Sequence, residues 1–377
     1  MRVLHVTPYF PPTWAYGGIP RIVDGLSRAL VGGGVDCTVW TTDALDERRA
    51  SVPADRLHHG VRVLVTPTWS NTLAYRHQLF LPRGNPLDSV EVDLVHLHGH
   101  RHLLNNAAVA WAQARGIPYV MTPNGTLPRH ERKVAVKALW DALVSGRIPG
   151  GAERLIAVSR AEAARFVQQG VPIERIATIP NGLMLEEFDE LPRQGSFKSR
   201  WGIQGRVVAY LGQISPRKGV EHLVSSFEGV QDATLVIGGN DMGGLSEARS
   251  RANSRVVFTG LLEGRERLAL LVDADVLVYP STDEVFGLVP FEGLMCGTPV
   301  VVGGDCGCGE LIAQAGAGLL VRHADVDGLT ARIRTLLDDP VAAGAMARRG
   351  RDYVQRKLSF EEVARQHTAL YSEVLRG

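Results

Sequence analysis

Short apolar runs closed by glycine or proline alternate with segments of helical periodicity, and the alternation passes along the chain twice. "RVLHVTPYF" (2–10) reads as a strand. "IPRIVDGLSRALVGGG" (19–34) reads as a helix, because Ile22, Val23, Leu26, Ala29 and Leu30 share one face and the glycines end it. Strands follow at 36–42, 61–66, 93–99, 118–125, 154–159 and 176–182, with helices at 105–116 and 160–170. Strands of this kind joined by helices imply βαβ units and parallel sheet. "DELPRQGSFKSRWGI" (189–203) breaks the pattern with Pro, Gly, Ser and mixed charge, and reads as an interdomain linker. The alternation then restarts, with strands at 207–213, 233–239, 255–260, 275–281, 298–304 and 317–321 and helices at 219–230, 326–339 and 360–375. At 377 residues the chain exceeds one ordinary core, so two doubly wound α/β domains are expected, 1–192 and 193–359.

Charge removes some function classes. Lys plus Arg number 41 and Asp plus Glu 40, so no positive field marks a nucleic-acid binder. The cysteines are Cys37, Cys296, Cys306 and Cys308; four in this length make no disulfide scaffold and suit a reducing cytoplasm. No second Cys or His pair stands near Cys306 and Cys308 to complete a zinc site, so no metal is expected. The N-terminus reads as a strand rather than a leader, and no run of about 18 apolar residues is present.

In open α/β sheets, ligands sit beyond the carboxyl ends of the strands. After the first strand, Gly17 and Gly18 precede a helix, where bare amides suit a phosphate; taken alone, the pair fits a loop needing positive φ better. After strand 207–213, "GQISPRKGV" brings Arg217 and Lys218 to a helix start, either as a diphosphate clamp or as a solvated basic pair. After strand 275–281, "TDEVFGLVPFEG" places Glu284 before a helix and Glu292 a turn inside it. The amides of Phe286, Gly287 and Leu288 would point at an anion, and carboxylates accept bonds from vicinal diols on a sugar or ribose. The apolar run between the acids implies that Glu292 is partly buried and needs partners. Together these signals describe a nucleotide-sugar site.

These residues resemble the retaining glycosyltransferases of family 4 (glycosyl transferases group 1), whose signature is similar to Glu284-x7-Glu292 within "PSTDEVFGLVPFEGLMCGTPVV" (280–301). "HVTPYFPP…GGIPRIVDGLSRAL" (5–30), "DLVHLHG" (93–99), "GIPYVMTPNG" (116–125), "AVSRAEAARFVQQGVPIERIATIPNGL" (157–183) and "YLGQISPRKGVEHLVSSF" (210–227) extend the resemblance over nearly the whole chain. It implies a GT-B fold: two facing Rossmann-like domains with a cleft between them, and a last helix (360–377) crossing back to the N-domain. It also implies roles. Glu284 would bind donor-sugar hydroxyls, and Glu292 the ribose. Phe286, Gly287 and Leu288 would offer amides, and Gly17 and Gly18 would contact the diphosphate. Lys218 would neutralise the leaving group, and Gly260 and Leu261 would lie beside the base. Three positions depart from the family. Gln213 stands at the usual Arg, with Arg217 the substitute cation. Asn124 stands at the usual His, and Met184 at the usual Asp.

The implied reaction is retaining, metal-independent transfer of a hexose-type sugar from a UDP- or GDP-sugar to a hydroxyl acceptor, without a cofactor. His98 ends a strand where an acceptor contact is expected, although a packed histidine fits as well. "RHERKVAVKALWDALVSGR" (129–147) mixes Arg129, Arg132, Lys133 and Lys137 with apolar residues, which suits peripheral contact with the inner membrane face and a lipid-linked acceptor, or an ordinary solvated helix. Rival readings are a nucleotide-sugar 2-epimerase, a glycan phosphorylase and a silent nucleotide-sugar sensor.

Overall fold

A computed structural model describes residues 1–13, 18–45, 55–77, 79–127, 140–141, 144 and 146–377. The chain divides into two compact units, Met1–Gly182 with Phe360–Gly377, and Leu183–Ser359.

The first unit is built on an eight-stranded sheet. Its elements are β1 (Arg2–Val6), α1 (Gly18–Gly32), β2 (Asp36–Thr42), β3 (Asp55–His58), β4 (Val61–Thr66), α2 (Asn71–His77), β5 (Leu94–His98), α3 (Leu103–Gln113), β6 (Tyr119–Thr122), α4 (Ile148–Gly151), β7 (Arg154–Ala157), α5 (Arg160–Gln168) and β8 (Ile176–Thr178). The strand order is β3-β4-β2-β1-β5-β6-β7-β8, parallel throughout except for the antiparallel β3–β4 pair. β1 and β5 are neighbours, so the order reverses there and their carboxyl ends form the switch point.

The second unit runs α6 (Ser196–Trp201), β9 (Arg206–Leu211), α7 (Val220–Ser226), β10 (Ala233–Gly238), α8 (Leu245–Ser250), β11 (Val256–Gly260), α9 (Gly264–Asp273), β12 (Val276–Tyr279), α10 (Val289–Met295), β13 (Val300–Gly303), α11 (Gly307–Ala315), β14 (Gly318–Val321), α12 (Val326–Asp338) and α13 (Pro340–Lys357). Its six strands are all parallel, ordered β11-β10-β9-β12-β13-β14. The central strands β9, β10, β12 and β13 are buried almost throughout, as continuous apolar strands require, while the edge strands β11 and β14 are mostly half-buried. Here the switch point lies between β9 and β12.

The final helix, α14 (Phe360–Val374), belongs to the first unit, where it lies along α1. Its Phe360 ring occupies space that glycine alone leaves open. A Cβ at Gly25 would fall 2.0 Å from that ring, and one at Gly182 2.4 Å. Beside it lies a buried polar core: His5 Nδ1 is 3.0 Å from His98 Nε2, and His96 bonds both the Tyr371 hydroxyl and the Thr122 hydroxyl at 2.7 Å.

The structure corrects the sequence reading at 189–203. That stretch is no linker: the unit boundary falls at Gly182/Leu183, and 189–203 belongs to the second unit. Its glycines cap a helix. Gly195 (φ +86°) and Gly202 (φ +64°) flank α6, and the Gly195 and Lys198 amides donate to Asp273 at 2.5 and 2.9 Å. Phe197, 1% exposed, anchors α6 in the core. β3, α2, α4, α8, α9, α11 and α13 went unread; α13 is small-residue- and arginine-rich and shows a weak apolar stripe, although Asp339 caps its start by accepting from the Ala342 amide at 2.9 Å. The expected helix at 219–230 is shorter, ending at Ser226 before a 3-10 turn.

Candidate functional site

At the carboxyl end of β9 the backbone is drawn in tightly. A Cβ on Gly239 (φ +156°) would sit 1.7 Å from the Gly212 carbonyl oxygen, so this approach requires glycine. The chain then makes a 3-10 turn over Pro216–Lys218 and enters α7 at Gly219 (φ +63°). This turn directs Lys218 inward. Its ammonium, on a residue 8% exposed, donates to the Tyr279 hydroxyl at 2.8 Å and to Glu284 Oε2. Tyr279 ends β12, and its hydroxyl donates to the same Oε2 at 3.1 Å. Tyr210 stacks on Tyr279 with ring centroids 6.2 Å apart, and its hydroxyl donates to the Gln213 carbonyl at 2.7 Å. The Thr282 amide donates to the Arg217 carbonyl at 2.9 Å, which ties the two loops together.

Burial opposes ionisation of Glu284, but Lys218, Tyr279 and Arg217 together outweigh it and hold the carboxyl below its ordinary range. Burial, reinforced by Glu284, pushes the Tyr279 and Tyr210 phenols well upward, so both remain neutral donors.

The second glutamate has different partners. Glu292 lies in the first turn of α10 and is 4% exposed, as the apolar run around it requires. Arg267 of α9 reaches Glu292 Oε2 at 2.5 Å and Glu187 Oε2 at 2.7 Å. Burial works against that guanidinium, but the two carboxylates win and raise its pKa. Gly287 (φ +80°) turns the chain between the two acids, and Phe286 packs on Phe291 with centroids 5.4 Å apart.

Among the residues expected at the site, Lys218, Arg217, Gln213, Glu284, Phe286, Gly287 and Leu288 lie together on the loops after β9 and β12. Gly260 (φ +75°) ends β11 and Leu261 follows it, 61% exposed. In the first unit, Gly18 begins α1, while Gly17 lies outside the described residues. Arg129, Arg132, Lys133 and Lys137 of the basic segment also lie outside them. His98 is buried against His5 and His96. Asn124 (φ +50°) follows β6, and both polar atoms of its side chain are buried without a partner among the described residues.

Sequence reasoning missed three residues. Tyr279 read as an ordinary strand residue, and Arg267 lies in a helix, α9, that the sequence reading did not identify. Glu162 takes the Gly125 amide at 2.7 Å and the Val158 amide at 2.8 Å, and so holds the loop that carries Asn124. The Ser159-x-x-Glu162 spacing signals a capped helix start, and Ser159 does accept from the Glu162 amide at 3.2 Å. Burial, only partly offset by these amides, pushes the Glu162 carboxyl up to about 7.

Two parallel α/β units with a lysine–glutamate pair and glycine-bounded loops at the second unit's switch point have the architecture of a GT-B glycosyltransferase. Sequence comparison agrees. Residues 194–353 match the family model described as glycosyl transferases group 1, and residues 16–187 match glycosyltransferase family 4. The chain belongs to this family of glycosyltransferases. It is 29% identical to a glycogen synthase of Mycobacterium tuberculosis, with 100% of this chain and 96% of that one covered. It is 28% identical to a GDP-mannose-dependent alpha-mannosyltransferase of Mycolicibacterium smegmatis, covering 93% and 92%. Among solved structures, sucrose-phosphate synthase from Thermosynechococcus elongatus superposes with a TM-score of 0.76 at 23% identity, over 100% of this chain and 99% of that one. Anabaena HepE in complex with UDP gives 0.76 at 18% identity, over 99% and 100%. No helix among the described residues is long and apolar enough to cross a membrane.

Proposed function

We propose that this chain moves a hexose from a UDP- or GDP-sugar to a hydroxyl acceptor, with retention of configuration and without a metal ion. The observation that carries this reading is the division of labour at Glu284. Lys218 and Tyr279 both occupy Oε2, which leaves Oε1 for donor-sugar hydroxyls. A carboxylate fixed and kept ionised in this way accepts two hydroxyl donors without reorganising. Lys218 lies in the same cluster and, with Arg217, offsets charge developing on the leaving diphosphate. The amides of Phe286, Gly287 and Leu288 add neutral donors. Glu292, oriented by Arg267, takes the ribose hydroxyls, and exposed Leu261 gives the base an apolar face beside Gly260. In the first unit, the Asn124 side chain, without a partner among the described residues, is a group able to bond a sugar hydroxyl.

The leaving phosphate takes the acceptor proton in this reading, so no side chain acts as nucleophile. Relatives support either base: one is named for GDP-mannose, and HepE was solved with UDP. The acceptor is a sugar or a lipid-linked hydroxyl, reached in the cytoplasm. The basic segment 129–147 is the proposed contact with an anionic membrane face.

The test is a screen of UDP- and GDP-sugars for nucleoside diphosphate release, with and without EDTA. One donor should be cleaved, insensitively to EDTA, with at least a tenfold loss in Glu284→Gln. Proton NMR of the product should show the donor's anomeric configuration. Binding without turnover, across acceptor mixtures, would favour the sensor reading instead.

A further inference from the structure

Cys306 and Cys308 lie at the start of α11, directly against the Glu284 loop. Their sulfurs are 3.2 Å apart, and both side chains are buried. Cys306, in extended backbone (φ −115°), occupies the N-cap position without a side-chain capping bond, and Gly307 begins the helix. Nothing in the proposed transfer uses a thiol. An S–S bond is about 2.05 Å long, so roughly 1 Å of closure would join them.

The turn that carries the two thiols is packed directly on the Glu284 loop. The Gly307 amide donates to the Glu284 carbonyl at 3.0 Å. A Cβ on Gly307 would lie 2.1 Å from the Val285 carbonyl oxygen, and a Cβ on Gly287 would lie 3.1 Å from the Cys308 sulfur. The Cys306–Cys308 turn and the 284–287 loop are therefore in backbone contact.

We propose that Cys306 and Cys308 form a reversible redox pair, joined as a disulfide by hydrogen peroxide and reopened by thiols, whose closure displaces the loop carrying Glu284. The effect on transfer rests on the function proposed above; the disulfide itself does not. Cys306 is the attacking sulfur, once it gives up the proton its thiol donates to the Gly303 carbonyl at 2.8 Å. A hydrogen bond from Cys308, helped by the Gly309 amide, lowers its pKa, whereas burial drives that of Cys308 well up. The Cys306 thiolate attacks one peroxide oxygen, the O–O bond breaks, and hydroxide leaves and takes up the released proton as water. The Cys308 sulfur then loses its proton and attacks the Cys306 sulfenic acid, and a second water leaves. Two thiols and one peroxide thus give one disulfide and two waters. Access is short, because Gly304 and Asp305, immediately before Cys306, are exposed. Cys296 is an internal control: burial pushes its thiol up to about 12.

The full chain is treated with hydrogen peroxide, denatured, alkylated and cleaved before aspartates. The fragment from Asp305 to Ala324 holds both thiols without Cys296. It should escape alkylation and be lighter by two hydrogens than its reduced form, and dithiothreitol should restore two alkylation sites. Alkylation of both thiols after peroxide, or overoxidation without a cross-link, overturns the pair. Nucleoside diphosphate release should fall at least tenfold on oxidation, return with dithiothreitol, and be peroxide-insensitive in Cys306→Ser. A disulfide that leaves release unchanged overturns the coupling to the loop. A reduced protein that cleaves no donor counts against the transferase reading alone, because the fragment mass still decides the disulfide.

Discussion

Lys218 and Glu284 meet across 66 residues of sequence, and Tyr279 donates to the same carboxylate oxygen at 3.1 Å. A buried ion pair of this kind adds little net stability, because desolvating both charges offsets their attraction. Its value is geometric: it fixes one oxygen of Glu284 and leaves the other available.

Removing either charge should therefore cost more than removing the phenol. Lys218→Ala should lower nucleoside diphosphate release by about 10²–10³-fold and also destabilise the second unit, because Glu284 loses the cation that keeps it ionised. Tyr279→Phe removes one neutral hydrogen bond and should cost about 1 kcal/mol in stability, with less than a tenfold loss of rate. Urea titrations and initial rates on both variants check the order; equal losses would contradict it.

Arg267 holds Glu292 and Glu187, and Glu292 is 4% exposed. Arg267→Met leaves a buried carboxylate without its cation and should destabilise the unit by roughly 3–5 kcal/mol. Adding Glu292→Gln should recover a substantial part, since the stranded charge is gone. A double variant no more stable than the single one would show that the guanidinium's packing, rather than its charge, is what counts. Chemical denaturation of the wild type and the two variants decides this.

Gly287 has φ +80°, and a Cβ there would press on Glu284 Cγ at 3.3 Å, on Tyr279 at 3.2 Å and on the Cys308 sulfur. Gly287→Ala should cost about 1–2 kcal/mol in stability and reduce donor cleavage more than tenfold by moving Glu284. Wild-type kinetics in a correctly folded Gly287→Ala protein would sink this account of the loop.

The first unit should weaken in mild acid. Burial lowers the pKa of His5 to about 3, His102 to about 3 and His367 to about 4, and takes His96 and His98 well below 6.5. The unfolded chain takes up protons near 6.5, while the folded chain does not until its own lower values are reached. Stability is therefore full above about pH 6.5 and is lost progressively as pH falls toward about 3. At about 4, His367 alone corresponds to roughly 3 kcal/mol. Urea midpoints followed through Trp40 and Trp111 fluorescence should drop between pH 7 and pH 5.

Much of this architecture is legible in the sequence, because buried parallel strands are continuous apolar runs and the helices between them keep a face. The strand-end rule led to Lys218 and Glu284 for the same reason. The failures have physical causes. The glycines at 195 and 202 resemble a linker because helix caps and hinges use the same residue. Arg267 and Tyr279 could not be read, because their importance lies in partners 25 and 5 residues away that periodicity does not pair. His98 ends its strand as expected, but whether such a side chain faces solvent or a cluster of other histidines is decided by tertiary packing.

The first unit closes only with Phe360, whose ring rests on Gly25 and Gly182. A ribosome that has made the first 182 residues has therefore not made that unit. The Gly25 and Gly182 seats, and the face of His96 that meets His367 and Tyr371, stay open while the whole second unit is synthesised. During synthesis the second unit is complete before the first, so a nascent chain cut short before α14 would expose apolar surface where the finished protein has none, a natural mark for quality control.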